Sequence, residues 1–139
     1  MEKMSAADLE RGLAGFCGTE NWHRHFLGLY FTDGVKFLAD NAGAYWLIDL
    51  VASYIPKCRK DAMLRDIQFW RLQVHNPPLV KKGVQYMATA YCARDTGNTA
   101  FSQDIPFTDF PLPEIKLYCE LGSVDGEHPC YVLMLVGER

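Results

Sequence analysis

Between residues 5 and 55 apolar side chains recur every three or four positions, whereas beyond residue 67 they alternate with polar ones. The first spacing is that of one face of a helix, the second that of a half-buried strand. Ser5 stands as an N-cap with Asp8 at the third helical position, and Leu9, Leu13, Phe16 and Cys17 follow at helical spacing. A first helix over about residues 6–16, closed by Gly18, is predicted. Thr19 and Glu20 then open a second helical segment from Trp22 to Leu29, in which Trp22, Phe26, Leu29 and Tyr30 form an apolar stripe. Thr32 or Asp33 caps a third helix through Val35, Leu38 and Ala39, ended by Asn41 and Gly43. The fourth runs from Ala44 to Ile55, where Pro56 is expected to stop it.

After a basic turn the period changes. Ile67 to His75 reads as a strand ended by Asn76-Pro-Pro, with a turn at Lys81-Lys-Gly83 leading into a second strand from Val84 to Arg94. Ile115, Leu117, Cys119 and Leu121 alternate with Lys116, Tyr118 and Glu120 as a third strand. A turn at Val124-Asp-Gly-Glu leads to the apolar run Cys130 to Val136, suited to a central strand. Asp95 to Pro113 reads as a long loop in which Phe101 to Ile105 adds a short edge strand, limited by Pro106. Helices first and an antiparallel meander afterwards make an α+β chain: N-terminal helices packed on a four- to five-stranded antiparallel sheet. With 139 residues and no internal repeat, residues 1–139 are expected to form one domain.

Composition narrows the class. Apolar residues make up 49% and charged residues 22%, the balance of a folded globular chain and not of a disordered one. The N-terminus is charged where a signal peptide needs an apolar stretch, and the run from Ala42 to Ile55 is too short to span a bilayer, so a cytoplasmic, membrane-free protein is expected. Five cysteines with no Cys-x-x-Cys spacing read as reduced thiols, although Cys119 and Cys130 flank a hairpin and could approach each other. The net charge of −3 is uneven: residues 1–94 hold 12 Lys/Arg against 9 Asp/Glu, residues 95–139 only 2 against 8. The basic excess centres on Lys57, Arg59, Lys60 and Arg65, with Lys81 and Lys82 beyond. That cluster is the candidate contact for nucleic acid, though an acidic chain without a long basic helix makes any such contact weak. Ordinary solvated loops would look the same.

Asp49 is the one charge inside the apolar fourth helix, on a strip with Trp46 and Ser53. It is expected to be a buried structural carboxylate with a polar partner, or else an acid at a pocket. Asp33-Gly34 reads as a capping turn in preference to a catalytic acid. His23 and His25 would point to opposite sides of a helix and lack the companions of a metal site, so no metal and no cofactor are expected. The segment 103–114 interleaves acids with aromatics and prolines. Asp104, Phe107, Asp109 and Phe110 make it a candidate protein-docking element, the alternative being that the rings pack over the sheet edge as a lid. No nucleophile elbow, phosphate loop or His-Glu-x-x-His is present, which lowers the expectation of catalysis.

Gly18-Thr-Glu, the run Tyr30-Phe-Thr-Asp-Gly-Val-Lys-Phe-Leu-Ala and the string Gly43-Ala-Tyr-Trp-Leu-Ile-Asp-Leu-Val-Ala-Ser-Tyr carry a resemblance. So do Phe69-x-x-Leu-x-Val, Ile115-x-Leu-Tyr and Val132-Leu-Met-Leu. Over most of residues 18–137 the chain resembles a family of small bacterial proteins of unknown function met on phages, plasmids and integrated elements. The resemblance implies no catalytic residue. It implies a context in which small acidic proteins bind and disable a host factor, as anti-CRISPR and other counter-defence inhibitors do. A non-enzymatic inhibitor that binds a host protein is therefore the leading expectation. A nucleic-acid-associated accessory protein using the 57–65 cluster, or a small enzyme with Asp49 in a pocket, are the alternatives.

Overall fold

The computed structural model describes residues 4–75 and 85–139. The ends of two predicted elements at Asn76-Pro-Pro and Val84, the turn at Lys81-Lys-Gly83, and Lys82 lie outside the described residues. Helix α1 (Ala6–Leu13) begins where Ser5 accepts a hydrogen bond from the Asp8 amide, as its cap position requires. It packs on α2 (Asp33–Ala42) across Gly12, where an added Cβ would lie 2.3 Å from the Phe37 ring, so a larger residue there would have to displace that ring. Thr32 caps α2 through the Val35 amide, and Gly43 closes it in the left-handed conformation at φ 61°.

Helix α3 (Tyr45–Cys58) runs one turn past the expected stop. Pro56 sits on its outward strip with Asp49 and Ser53, all exposed, so the ring meets solvent; the helix closes beyond it through the Arg59 amide on the Ile55 carbonyl. The remaining faces of α3, including Leu47, Ile48, Val51, Ala52, Ile55 and Cys58, are buried.

The predicted second helix is instead a hairpin. Strands β1 (Trp22–Arg24) and β2 (Tyr30–Thr32) pair antiparallel, joined by a turn in which the Gly28 amide bonds the His25 carbonyl at 2.9 Å. Gly28 has φ +93°, a conformation that breaks a helix and that side chains rarely adopt. β3 (Ile67–Val74), β4 (Tyr86–Asp95), β6 (Glu114–Gly122) and β7 (Cys130–Leu135) fall close to the expected strands. β5 (Asn98–Thr108) occupies most of what reads as a loop, joined to β4 by a tight turn with Gly97 at φ +78°.

The result is one seven-stranded sheet in the order β1-β2-β7-β6-β3-β4-β5, larger than the expected four to five strands. It is not wholly antiparallel, because β2 runs parallel to β7. The helices cover one face, over Trp70, Leu72, Val74, Ala90, Cys92, Leu117, Cys119 and Leu133. Gln68, fully buried at the end of this core, donates to the Leu64 carbonyl and accepts from the Trp70 indole, which satisfies both of its ends. The chain closes with a short 3-10 helix, Val136–Glu138, whose carboxylate returns to the start of α2. Oε1 of Glu138 accepts from Thr32 and from the Leu135 amide, and Oε2 accepts from the Gly34 amide at 3.1 Å. A Cβ on Gly34 would lie 2.5 Å from that carboxylate, so the glycine lets the acid reach the helix end.

Cys119 stands opposite Leu133 and Cys130 opposite Gly122, on opposite faces of the sheet, and both are free thiols. The Cys58 and Cys92 thiols hydrogen bond to each other in the core; that bond and burial push the Cys92 thiol up, and burial does the same to Cys119. Among the described residues no helix is long and apolar enough to cross a membrane.

Candidate functional site

Asp49 is not buried. Its side chain is 56% exposed, because the strip it shares with Ser53 is the one face of α3 that the sheet and α2 leave uncovered. The buried member of its pair is His25, whose Nε2 lies 2.5 Å from the carboxylate. The His25 Nδ1 accepts the Leu27 amide at 3.1 Å, which leaves the ring proton on Nε2, donated to Asp49. One imidazole thus joins α3 to the β1–β2 turn and fixes the shape of that turn.

His23 makes a parallel connection to α2. Its Nε2 is 2.9 Å from Asp33 Oδ1, while Oδ2 accepts the Glu20 and Asn21 amides at 3.2 Å. The histidine bond, followed by the two amides, holds the Asp33 carboxyl below the usual range. Because His23 lies on β1 and His25 follows directly after its end, in extended chain and not in a helix, both face the helical layer, yet each takes a different carboxylate. Among the described residues no group of three or more ligating side chains is placed to hold a metal ion.

The histidine-fixed turn presents Phe26 and Leu27 to solvent, 82% and 58% exposed. Leu27 lines a dimple of about 20 Å³ with Ile55, Arg59 and Tyr131, so the hairpin tip adjoins the basic cluster at the end of α3. Lys57, Arg59, Lys60 and Arg65 are all exposed. Lys57 lies over the rings of Tyr54 and Phe101 at 5.2 and 5.9 Å, and Arg59 over Tyr131 at 5.7 Å, contacts that splay their cations along the surface. The Tyr131 hydroxyl also donates to the Arg65 carbonyl at 2.7 Å. Asp61 stands among these cations but is held by Arg94, by two backbone amides and below the ordinary carboxylate range, down to about 2. The helix C-terminus favours the cations where they are.

The 101–114 segment divides. Phe110, 1% exposed, and Leu112 are packed into the core, so this half is the lid. Phe107 is 74% exposed on β5, in a bulge where it and Pro106 lie opposite the single exposed Met87 of β4. Asp109 is half-buried, and Asp104 is exposed and accepts the Thr89 hydroxyl at 3.0 Å. Thr89 also lies 2.8 Å from His75 Nε2, which with the hydroxyl proton on Asp104 must donate. That imidazole therefore locks three strands together in place of drawing a proton from the hydroxyl.

The structure thus brings Arg59 of the basic cluster beside Leu27, on the same turn as Phe26; Phe26, expected in a helical stripe, lies instead in a turn that Gly28 signals. The structure separates Phe107 from Phe110. Residues 7–139 match the family described as "Family of unknown function (DUF6876)", and the chain belongs to that family. No curated protein and no solved structure matches it.

Proposed function

We propose that this member of the family is a non-enzymatic binding protein that docks on another protein through the β1–β2 turn and the adjoining end of α3. The observation that carries this reading is the exposure of Phe26 and Leu27 on a turn held rigid by His25 and bordered by Arg59. An exposed aromatic on a preorganised turn supplies binding energy at little entropic cost, and the surrounding cations select an acidic partner surface. Asp49 acts here as a positioning residue, through His25. The resemblance to proteins of phages, plasmids and integrated elements extends the reading to an inhibitor of a host factor, with counter-defence as its setting.

The test places a photo-crosslinking phenylalanine analogue at position 26, at position 107 or at exposed Glu127 in cells that produce the protein. A single protein adduct at position 26, absent at 127 and lost with Arg59→Glu, is expected. An adduct at 107 alone moves docking to the β5 edge, where Phe107 and Met87 favour a second reading of the same kind. No protein adduct at either position ends the proposal.

A further inference from the structure

The sheet face opposite the helices carries a different surface. Strand register arranges it in rows that cross β6, β3, β4 and β5. One row reads Tyr118, Phe69, Ala93, Thr99, and the next Lys116, Arg71, Tyr91, Ser102. The small side chains of Ala93 and Thr99 sink the first row, while the β4–β5 turn at Thr96 and Gly97 rises at its end. A hollow of about 600 Å³ results, lined by Phe69, Arg71, Tyr91, Lys116 and Tyr118.

Lys116 and Arg71 face each other directly across β6 and β3. Like charges in that register destabilise a sheet unless something of opposite sign lies over them. The compensation within the chain is slight: Lys116 is 3.7 Å from Glu114, and Arg71 stacks on Tyr91 at 4.7 Å with no carboxylate in salt-bridge range among the described residues. A third cation, Arg139, lies over the Tyr118 ring at 5.6 Å, although Glu120 holds it. The cationic row and the aromatic row are two residues apart along the strands, about 7 Å. A phosphate track beside a row of stacked bases needs that separation, and a strand-crossing row of this width matches the two or three bases that four-stranded sheets stack.

We propose that this hollow binds single-stranded nucleic acid, with Lys116 and Arg71 on the phosphates and Tyr118 and Phe69 against the bases. The cations lie side by side across strands and do not converge on one point, which favours a polymer over a single phosphate. Bases laid against Tyr118 and Phe69 must be unpaired, which disfavours a duplex.

The test measures fluorescence anisotropy of a short fluorescein-labelled oligothymidylate, and of an oligouridylate, with the full chain at increasing salt. Binding is expected with a log–log salt slope of about −1.4, two phosphate contacts at about −0.7 each. It should weaken about tenfold or more in Lys116→Glu and in Tyr118→Leu, the latter keeping an apolar side chain so that folding is retained. Lys36→Glu, which carries the same charge change on the helical layer, should bind as the unaltered protein does. A duplex of matching sequence and thymidine monophosphate should each compete at least tenfold less well. Absence of binding at low salt overturns the proposal. So does equal weakening by Lys36→Glu and Lys116→Glu, or competition by the mononucleotide or the duplex at the strength of the oligomer.

Discussion

Replacing Glu138 with alanine should destabilise the fold far more than its place in the final turn would indicate. The carboxylate accepts three hydrogen bonds: one from Thr32, one from the Leu135 amide and one from the Gly34 amide in the first turn of α2. Thr32 and Gly34 are both buried, so their donors cannot turn to bulk water when the acid is removed. At about 1 kcal/mol net for each bond, the loss is about 3 kcal/mol. A carboxylate at a helix N-terminus adds a further ~0.3–1 kcal/mol. For a chain of this size a loss of about 3 kcal/mol lowers Tm by roughly 9 °C. Urea unfolding followed by fluorescence of the three tryptophans should show a lower midpoint at an unchanged slope. Glu138→Gln should fall between, since its amide retains one acceptor but turns a donor toward other donors. Thr32→Val with Glu138→Ala should be less than additive by more than about 0.5 kcal/mol, as for residues that share one bond. A loss below about 0.5 kcal/mol for Glu138→Ala, or strict additivity of the pair, would refute the reasoning.

Three further outcomes follow from the same packing. Phe110→Ala should cost about 3–5 kcal/mol in urea unfolding, while Phe107→Ala should stay within about 0.5 kcal/mol, because only the first ring fills the core. Under native conditions a thiol reagent should label Cys17 quickly, and Cys58, Cys92 and Cys119 only at the rate of unfolding; rapid native labelling of those three would contradict their burial. Asp61, depressed to about 2 by Arg94 and by the Leu64 and Met63 amides, contributes stability in full above its unfolded value of 3.8 and loses it as pH falls through about 2. Asp61→Asn should accordingly flatten the acid limb of a stability–pH curve over that window, and an unchanged limb would exclude the carboxylate as its source.

Local rules were legible wherever a local cause decided the outcome. Ser5, Thr32 and Gly43 mark helix ends that recur in the structure, and the alternation in Ile67–Val74 and in Glu114–Gly122 gives strands with one face in the core. The errors have local causes as well. Trp22, Phe26, Leu29 and Tyr30 happen to fit a helical stripe, yet Gly28 at φ +93° turns the chain and Phe26 ends in solvent. Pro56 lies on a solvent-facing strip and shortens nothing. Asp95–Pro113 looks like a loop through its prolines and glycine, but Pro106 lies on β5, which pairs with β4 alone among the described strands, so its missing amide proton costs no bond to a further strand. What no local rule could supply was the site itself. Leu27 meets Arg59, Asp49 meets His25, and Lys116 faces Arg71 only through pairings that join distant parts of the chain.

The parallel contact between β2 and β7, reinforced by Glu138 on α2, also sets the order in which the protein can assemble. On the ribosome, β1, β2 and α2 emerge early with one sheet edge and one helix end waiting for residues made about a hundred positions later. A two-stranded hairpin alone is marginal in water, and closing so long a loop is slow. The hairpin that bears Phe26 therefore gains its sheet neighbour only once β7 is made, although His25 already ties its turn to Asp49 on α3. Without β7, which stands between β2 and β6, the hairpin would have no strand to join it to the rest of the sheet.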